Sequence, residues 1–252
     1  MAILKIEDIC KDFGGLRALN HVTFNVGRGI IKGIVGPNGA GKTTLLNIVG
    51  GILEPTAGNI LFEGKTLRGI QAHKRCEWGI GRVYQLTKLF KDQTVLDNVK
   101  IGFHCRTKCN MISVGFRFPR AVSEEMRLTA RAMELLQVAG LHTKADQLAG
   151  VLPFGEQRLL EMVRALATEP KLLLLDEPAC GLNSAELDQV VRLLHDLRKR
   201  EITILLIEHN MKLVADVCDE VTVLSFGEMI AEGPPGEIQN NKEVIAAFTG
   251  RN

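Results

Sequence analysis

No apolar stretch in this 252-residue chain approaches the roughly 20 residues that a membrane-spanning helix requires. Stretches such as Leu172 to Leu175 and Ile202 to Ile207 are far shorter, so the chain is not expected to cross a membrane. A charge excess of one sign is also missing. Lys and Arg total 31 against 29 Asp and Glu, a formal charge of +2 without any basic block, which argues against nucleic acid as the main partner. The opening Met1-Ala2-Ile3-Leu4-Lys5-Ile6-Glu7 has no charged-then-apolar leader, and a cytoplasmic location is the expectation. Nor is there a disulfide frame. The six cysteines (Cys10, Cys76, Cys105, Cys109, Cys180 and Cys218) are scattered as free thiols of a reducing compartment would be. Cys105 and Cys109 lie close to His104, but no second ligand pair stands at zinc-like spacing, so both read as ordinary thiols. Internal repeats and low-complexity tracts are absent. The length admits one large domain or two small ones.

What is present is organised in blocks. Ile3 to Ile9, Val22 to Val26, Ile30 to Val35 and Asn59 to Phe62 read as strands, rich in Ile and Val and separated by Gly, Asn and Asp; several are expected to pair antiparallel. From about Thr94 to Thr168 the pattern turns helical, with Met126, Ala130 and Met133 at helical spacing and Gly140 placed to end that helix. Leu172 to Leu175 is wholly apolar and Ile202 to Ile207 is apolar but for Thr203, as strands buried on both faces of a parallel sheet are. A crossover helix should join them, since Leu187, Val190, Val191, Leu194 and Leu197 share one helical face and Asn183 with Glu186 forms a capping-box pattern. Then come the strand Val221 to Ser225, a turn at Phe226-Gly227-Glu228, and Pro234-Pro235 before a last short helix.

The chemistry concentrates at strand ends. Gly36-Pro37-Asn38-Gly39-Ala40-Gly41-Lys42-Thr43 fits Gly-x-x-x-x-Gly-Lys-Ser/Thr and follows the strand Ile30 to Val35 directly. Glycines let successive backbone N–H groups face phosphate oxygens, the following helix adds its positive end, Lys42 reaches the β- and γ-phosphates, and Thr43 holds Mg²⁺. Asp176 and Glu177 end the strand begun at Leu172: one suits a cation, the other an attacking water. By themselves two such acids fit equally well as caps of the next helix. Glu208 and His209 end the strand Ile202 to Ile207, which puts an imidazole at the same sheet edge, where α/β sheets bind ligands.

These segments, with the glutamine of Val83-Tyr84-Gln85, the stretch Leu152-Pro153-Phe154-Gly155-Glu156-Gln157 and Gly181-Leu182-Asn183, resemble ABC-type ATPases in order and spacing over essentially the whole chain. The resemblance implies a P-loop α/β core (residues 1–85 and 169–232) with an antiparallel N-terminal β-subdomain, an inserted helical subdomain (86–168) and a C-terminal tail (233–252). It implies ATP on Gly36 to Thr43 and Thr44, with Phe13 stacked on adenine, although a phenylalanine as a bare residue is more often core. Thr43, Gln85 and Asp176 would serve Mg²⁺, Glu177 would be the base, and Lys42 and His209 would contact the γ-phosphate. Pro153, Phe154, Gly155 and Glu156 would clamp the nucleotide of an opposite subunit, and Asn183 would link the two sites. Implied partners are a second ABC ATPase, membrane-spanning permeases and, indirectly, a periplasmic or extracellular substrate-binding protein, with the chain peripheral on the inner membrane face.

Two stretches resemble the branched-chain amino-acid importers in particular: Gly81 to Gln85 with Leu89-Phe90, Thr94-Val95 and Asn98-Val99, and the tail with Gly233, Pro235, Glu237-Ile238, Asn241, Val244, Ala247-Phe248 and Gly250, where Phe248 and Thr249 depart mildly from the usual tyrosine and leucine. One departure matters more. The family's Leu-Ser-Gly-Gly-Gln is here Leu152-Pro153-Phe154-Gly155-Glu156, without the serine hydroxyl, and Pro153 suits the first position of a helix. Alternatives are an ATPase for urea, amides or another cargo, a soluble ABC ATPase of DNA repair or translation, and a module that senses ATP without hydrolysing it. Glu177 and His209 speak against the last, and the lack of coiled coils, paired domains or basic arms against the second.

Overall fold

The computed structural model describes residues 1–85, 88–106 and 119–249. Cys109 and Gly250 lie outside them. Two sheets form the frame. The first is antiparallel, in the order β2-β1-β4-β5, and contains β1 (Ala2–Phe13), β2 (Leu16–Gly27), β4 (Ala57–Phe62) and β5 (Lys65–Thr66). The expected antiparallel pairing is present, and the first two strands run further than their apolar cores, because Gly14-Gly15 closes them into a hairpin with Phe13 opposite Leu16.

The second sheet has the order β10-β9-β3-β8-β7-β6. Its members are β3 (Ile31–Val35), β6 (Ile80–Val83), β7 (Leu172–Asp176), β8 (Thr203–Ile207), β9 (Glu220–Ser225) and β10 (Glu228–Gly233). All neighbours are parallel except the β9–β10 hairpin at one edge. Every residue of β3, β7 and β8 is buried, and the four-leucine run shows why. Side chains alternate across a strand. Leu172 and Leu174 face a core shared with the antiparallel sheet and the helix α1 (Lys42–Val49), whereas Leu173 and Leu175 face a core built from helices. At roughly 1.5–3 kcal/mol for each fully buried leucine, both halves of the run are needed.

The helical core draws on α3 (Val95–Gly102), α4 (Pro119–Val138), α5 (Phe154–Leu166), α6 (Ser184–Lys199) and α7 (Met211–Val217). The remaining helices are α2 (Ala72–Trp78), α8 (Pro235–Asn240) and α9 (Lys242–Thr249). The crossover helix is α6, capped as expected: Asn183 accepts from the Glu186 N–H while the Glu186 carboxylate accepts from the Asn183 N–H.

Helical spacing alone does not choose the packing face of α4: Met126 is 63% exposed, Met133 packs against the helical core, and the fully buried positions are Ala132 and Leu136. Two expectations need correction. Pro153 is the N-cap of α5 and not its first residue, since its ψ of 153° is extended and Phe154 opens the helix. The tail holds two helices where one was expected, broken at Asn241, whose side chain accepts from the N–H groups of Glu243 and Val244.

Candidate functional site

The turn from β3 into α1 is forced by its neighbours. A Cβ on Gly36, at φ 149°, would lie 2.0 Å from the Leu224 carbonyl oxygen, and one on Gly41 would lie 2.6 Å from that of Ala18. Asn38 and Gly39 remain at the surface, Ala40 is buried, and Pro37 and Thr44 are half-buried. Lys42 is buried and donates to the carbonyls of Gly36 (2.8 Å) and Pro37 (2.9 Å). Burial holds its ammonium below the ordinary lysine range, against the pull of Glu177 and Asp176. Gly41 gives α1 no side-chain cap and its first turn has no acid, so its N–H groups suit an anion.

Asp176 is 2% exposed at the end of β7, where the Thr43 side chain favours its charged form. Burial pushes its carboxyl up, opposed first by Arg82, whose Nη2 is 3.8 Å from Oδ2. Its Oδ1 is buried without a hydrogen-bond partner. A buried orphan carboxylate oxygen beside a threonine hydroxyl is the oxygen-rich setting that a hard divalent cation takes.

Glu177 follows at φ 49°, a left-handed conformation that is rare for a residue with a side chain. Its N–H is held by the Ile207 carbonyl. Gln85 Nε2 donates to its Oε2 at 3.2 Å, and His209 Nδ1 stands 3.8 Å from its Oε1. Thus Gln85, Glu177 and His209, from three separate strand ends, meet around one carboxylate. The sequence reading named these three but missed what holds His209. Glu208, 1% exposed, accepts from the backbone N–H groups of Ala179, His209 and Asn210. A charged residue ending an apolar strand was the available signal.

The remaining candidates do not join this cluster. Pro153, Phe154, Gly155 and Glu156 gather at the start of α5 against α6: a Cβ on Gly155 would meet the Glu186 carboxyl at 2.5 Å, and Phe154, largely exposed, faces Gly181. Glu156 is paired with Lys144 at 2.6 Å. The Asn183 side chain is engaged as the α6 cap. Phe13 stands apart at the hairpin end of β1, 45% exposed, with Lys11 Nζ 5.1 Å from its ring centre.

The family model described as "ABC transporter" matches residues 19–180, from β2 through the phosphate loop to the turn after Glu177. The chain belongs to the ABC transporter family. A second model, "Branched-chain amino acid ATP-binding cassette transporter", matches residues 228–252. Among ABC relatives, the high-affinity branched-chain amino acid transport ATP-binding protein BraF of Pseudomonas aeruginosa is 37% identical over 249 residues, 98% of each chain. The crystal structure of an ATP-binding cassette of an ABC transporter in its ADP conformation superposes with a TM-score of 0.87 at 32% identity, covering 100% of both chains. A dimeric cassette in a post-hydrolysis state, bound to ADP and Pi, gives 0.77 at 25% identity, covering 92% of this chain and 98% of that one. The family resemblance and the α/β P-loop fold expected from the sequence are both borne out.

Proposed function

We propose that this chain hydrolyses ATP to power a membrane importer of branched-chain amino acids. The observation that carries the reading is the convergence of Gln85, Glu177 and His209 beside the Lys42 loop at the carboxyl edge of the parallel sheet. Support for the cargo comes from the tail match and from relatives named for branched-chain amino acid transport.

In this reading the backbone of Gly36 to Thr44 cradles the phosphates, Lys42 offsets their charge, and Phe13 stacks on adenine. The Thr43 hydroxyl, Asp176 and Gln85 fit Mg²⁺, which when bound neutralises charge on the β- and γ-phosphates. Glu177 takes the proton of the attacking water while Gln85 and His209 orient its carboxylate, and His209 contacts the γ-phosphate. Catalysis is then mostly positioning and charge stabilisation. A second cassette lays its own Pro153 to Glu156 over the nucleotide, with Asn183 linking the sites. The boundaries we assign are 1–85 and 169–232 for the core, 86–168 for the helical part and 233–252 for the tail. No helix among the described residues is long and apolar enough to cross a membrane, so we place the chain on the inner membrane face through permease subunits, which are served outside by a substrate-binding protein.

Glu177→Gln keeps shape and removes the base, so hydrolysis should fall by about two to four orders of magnitude. MgATP binding should survive, and the variant should accumulate as a dimer on size-exclusion chromatography. Parent-like turnover would remove Glu177 as the base. For the cargo, cells lacking the chain should lose labelled leucine uptake and regain it with the parent but not with Lys42→Ala; unimpaired uptake would point to another cargo.

A further inference from the structure

One turn beyond Gly155, α5 carries a charged residue that the site description leaves unused. Arg158 is 1% exposed, and its guanidinium finds a partner for each of its five N–H groups. Nη1 donates to the Tyr84 carbonyl (2.8 Å) and to Glu161 Oε2 (3.1 Å). Nη2 donates to the carbonyls of Gln85 (2.7 Å) and Glu177 (3.1 Å), and Nε to that of Pro178 (3.3 Å). Glu161, one turn further on, is itself buried and accepts from the Lys88 N–H. Four of the five acceptors therefore belong to the backbone of the two segments that present the Gln85 amide and the Glu177 carboxylate to each other.

We propose that Arg158 is the positioning residue of the hydrolytic site: it fixes the Gln85 and Glu177 backbones in register and ties both to the helix whose first turn is Pro153 to Glu156. The inference rests on the ATPase reading above. Its physical basis is the planar five-donor fork. Two peptide segments that are far apart in sequence share one rigid cation, so they move together, and they move with α5. Glu177 gains from such a hold, because its left-handed backbone is costly for a residue with a side chain. Any shift of the α5 N-terminus on closing over a nucleotide reaches Gln85 and Glu177 through the same group. Lysine cannot replace it, having three donors in place of five and no plane.

The test is steady-state ATPase kinetics of Arg158→Lys in the purified transporter complex. The expected result is a fall in kcat of about tenfold or more with KM for ATP within about twofold of the parent, since a misplaced catalytic group affects turnover and Arg158 touches no part of the phosphate loop. Arg75→Lys is the matched control. Arg75 is also buried and donates to four carbonyls, those of Ile48, Val49, Leu67 and Ile70, but contacts neither Gln85 nor Glu177. It should lose thermal stability and keep kcat. If both lysine variants lose kcat alike, or Arg158→Lys turns over like the parent, the assignment is wrong. Should Arg158→Lys not fold, Arg158→Ala is assayed with millimolar methylguanidinium or methylammonium. Recovery of kcat by the guanidinium alone supports the assignment, and recovery by neither or by both overturns it. Absence of ATP hydrolysis by the parent complex in the same assay would instead sink the ATPase reading.

Discussion

A methyl group on residue 155 would press on the Glu186 carboxyl at 2.5 Å, while that carboxyl is holding the Asn183 N–H at 3.0 Å. Gly155→Ala should therefore push Glu186 out of the capping box and destabilise the chain by about 1 kcal/mol. Urea unfolding checks it, and the cycle with Glu186→Ala is decisive, because with the glutamate gone the same methyl should cost almost nothing. The contact joins the start of α5 to the start of α6, two places that the sequence marked separately as a signature and a cap. Lys42, Thr43, Asp176, Glu177 and His209 were legible because each bears its own chemistry at the end of an apolar strand. Arg158 and Glu208 were not. Apart from Glu161, their partners are backbone groups, up to 74 residues away for Arg158 and 29 for Glu208, and no local pattern records such a bond.

At the scale of elements, the buried parallel strands were plain from their apolar runs, whereas β6 was missed: Ile80-Gly81-Arg82-Val83 is short and carries a glycine and an arginine. Helical spacing in α4 did not tell which positions pack, because periodicity locates a stripe without saying which neighbour arrives. One contact between elements is open to direct test. Cys76 of α2 and Cys105, in the 3-10 turn Phe103–Arg106 that follows α3, have their sulfurs 3.7 Å apart. A disulfide holds its sulfurs about 2.05 Å apart, so the two thiols have to approach by under about 2 Å. A mild oxidant should join them within one chain, and non-reducing peptide mapping should find the Cys76–Cys105 pair. If no such bridge forms, α2 does not pack against that turn as described.

For the molecule as a whole, the parallel sheet is common to both cores, and the two are expected to unfold together. The only tryptophan, Trp78, packs on the core beside the antiparallel sheet, while Leu173 faces the other. Leu173→Ala should still shift the Trp78 fluorescence transition, by a destabilisation of about 2–5 kcal/mol, and far-UV circular dichroism should move with it. Separate transitions for the two probes would mean that the cores unfold independently. The same global stability sets a limit on what the site can demand. Glu177 is held at φ 49°, and its charge adds to the pressure on the neighbouring Asp176 carboxyl. Relief of the left-handed strain, roughly 1–2 kcal/mol, exceeds the roughly 0.4–1 kcal/mol that glycine's added freedom in the unfolded chain takes back. Glu177→Gly should thus raise the urea midpoint while abolishing turnover, and a clear fall in the midpoint would refute it. At this one position selection for folding alone and selection for work would choose different residues, and the glutamate records which has prevailed.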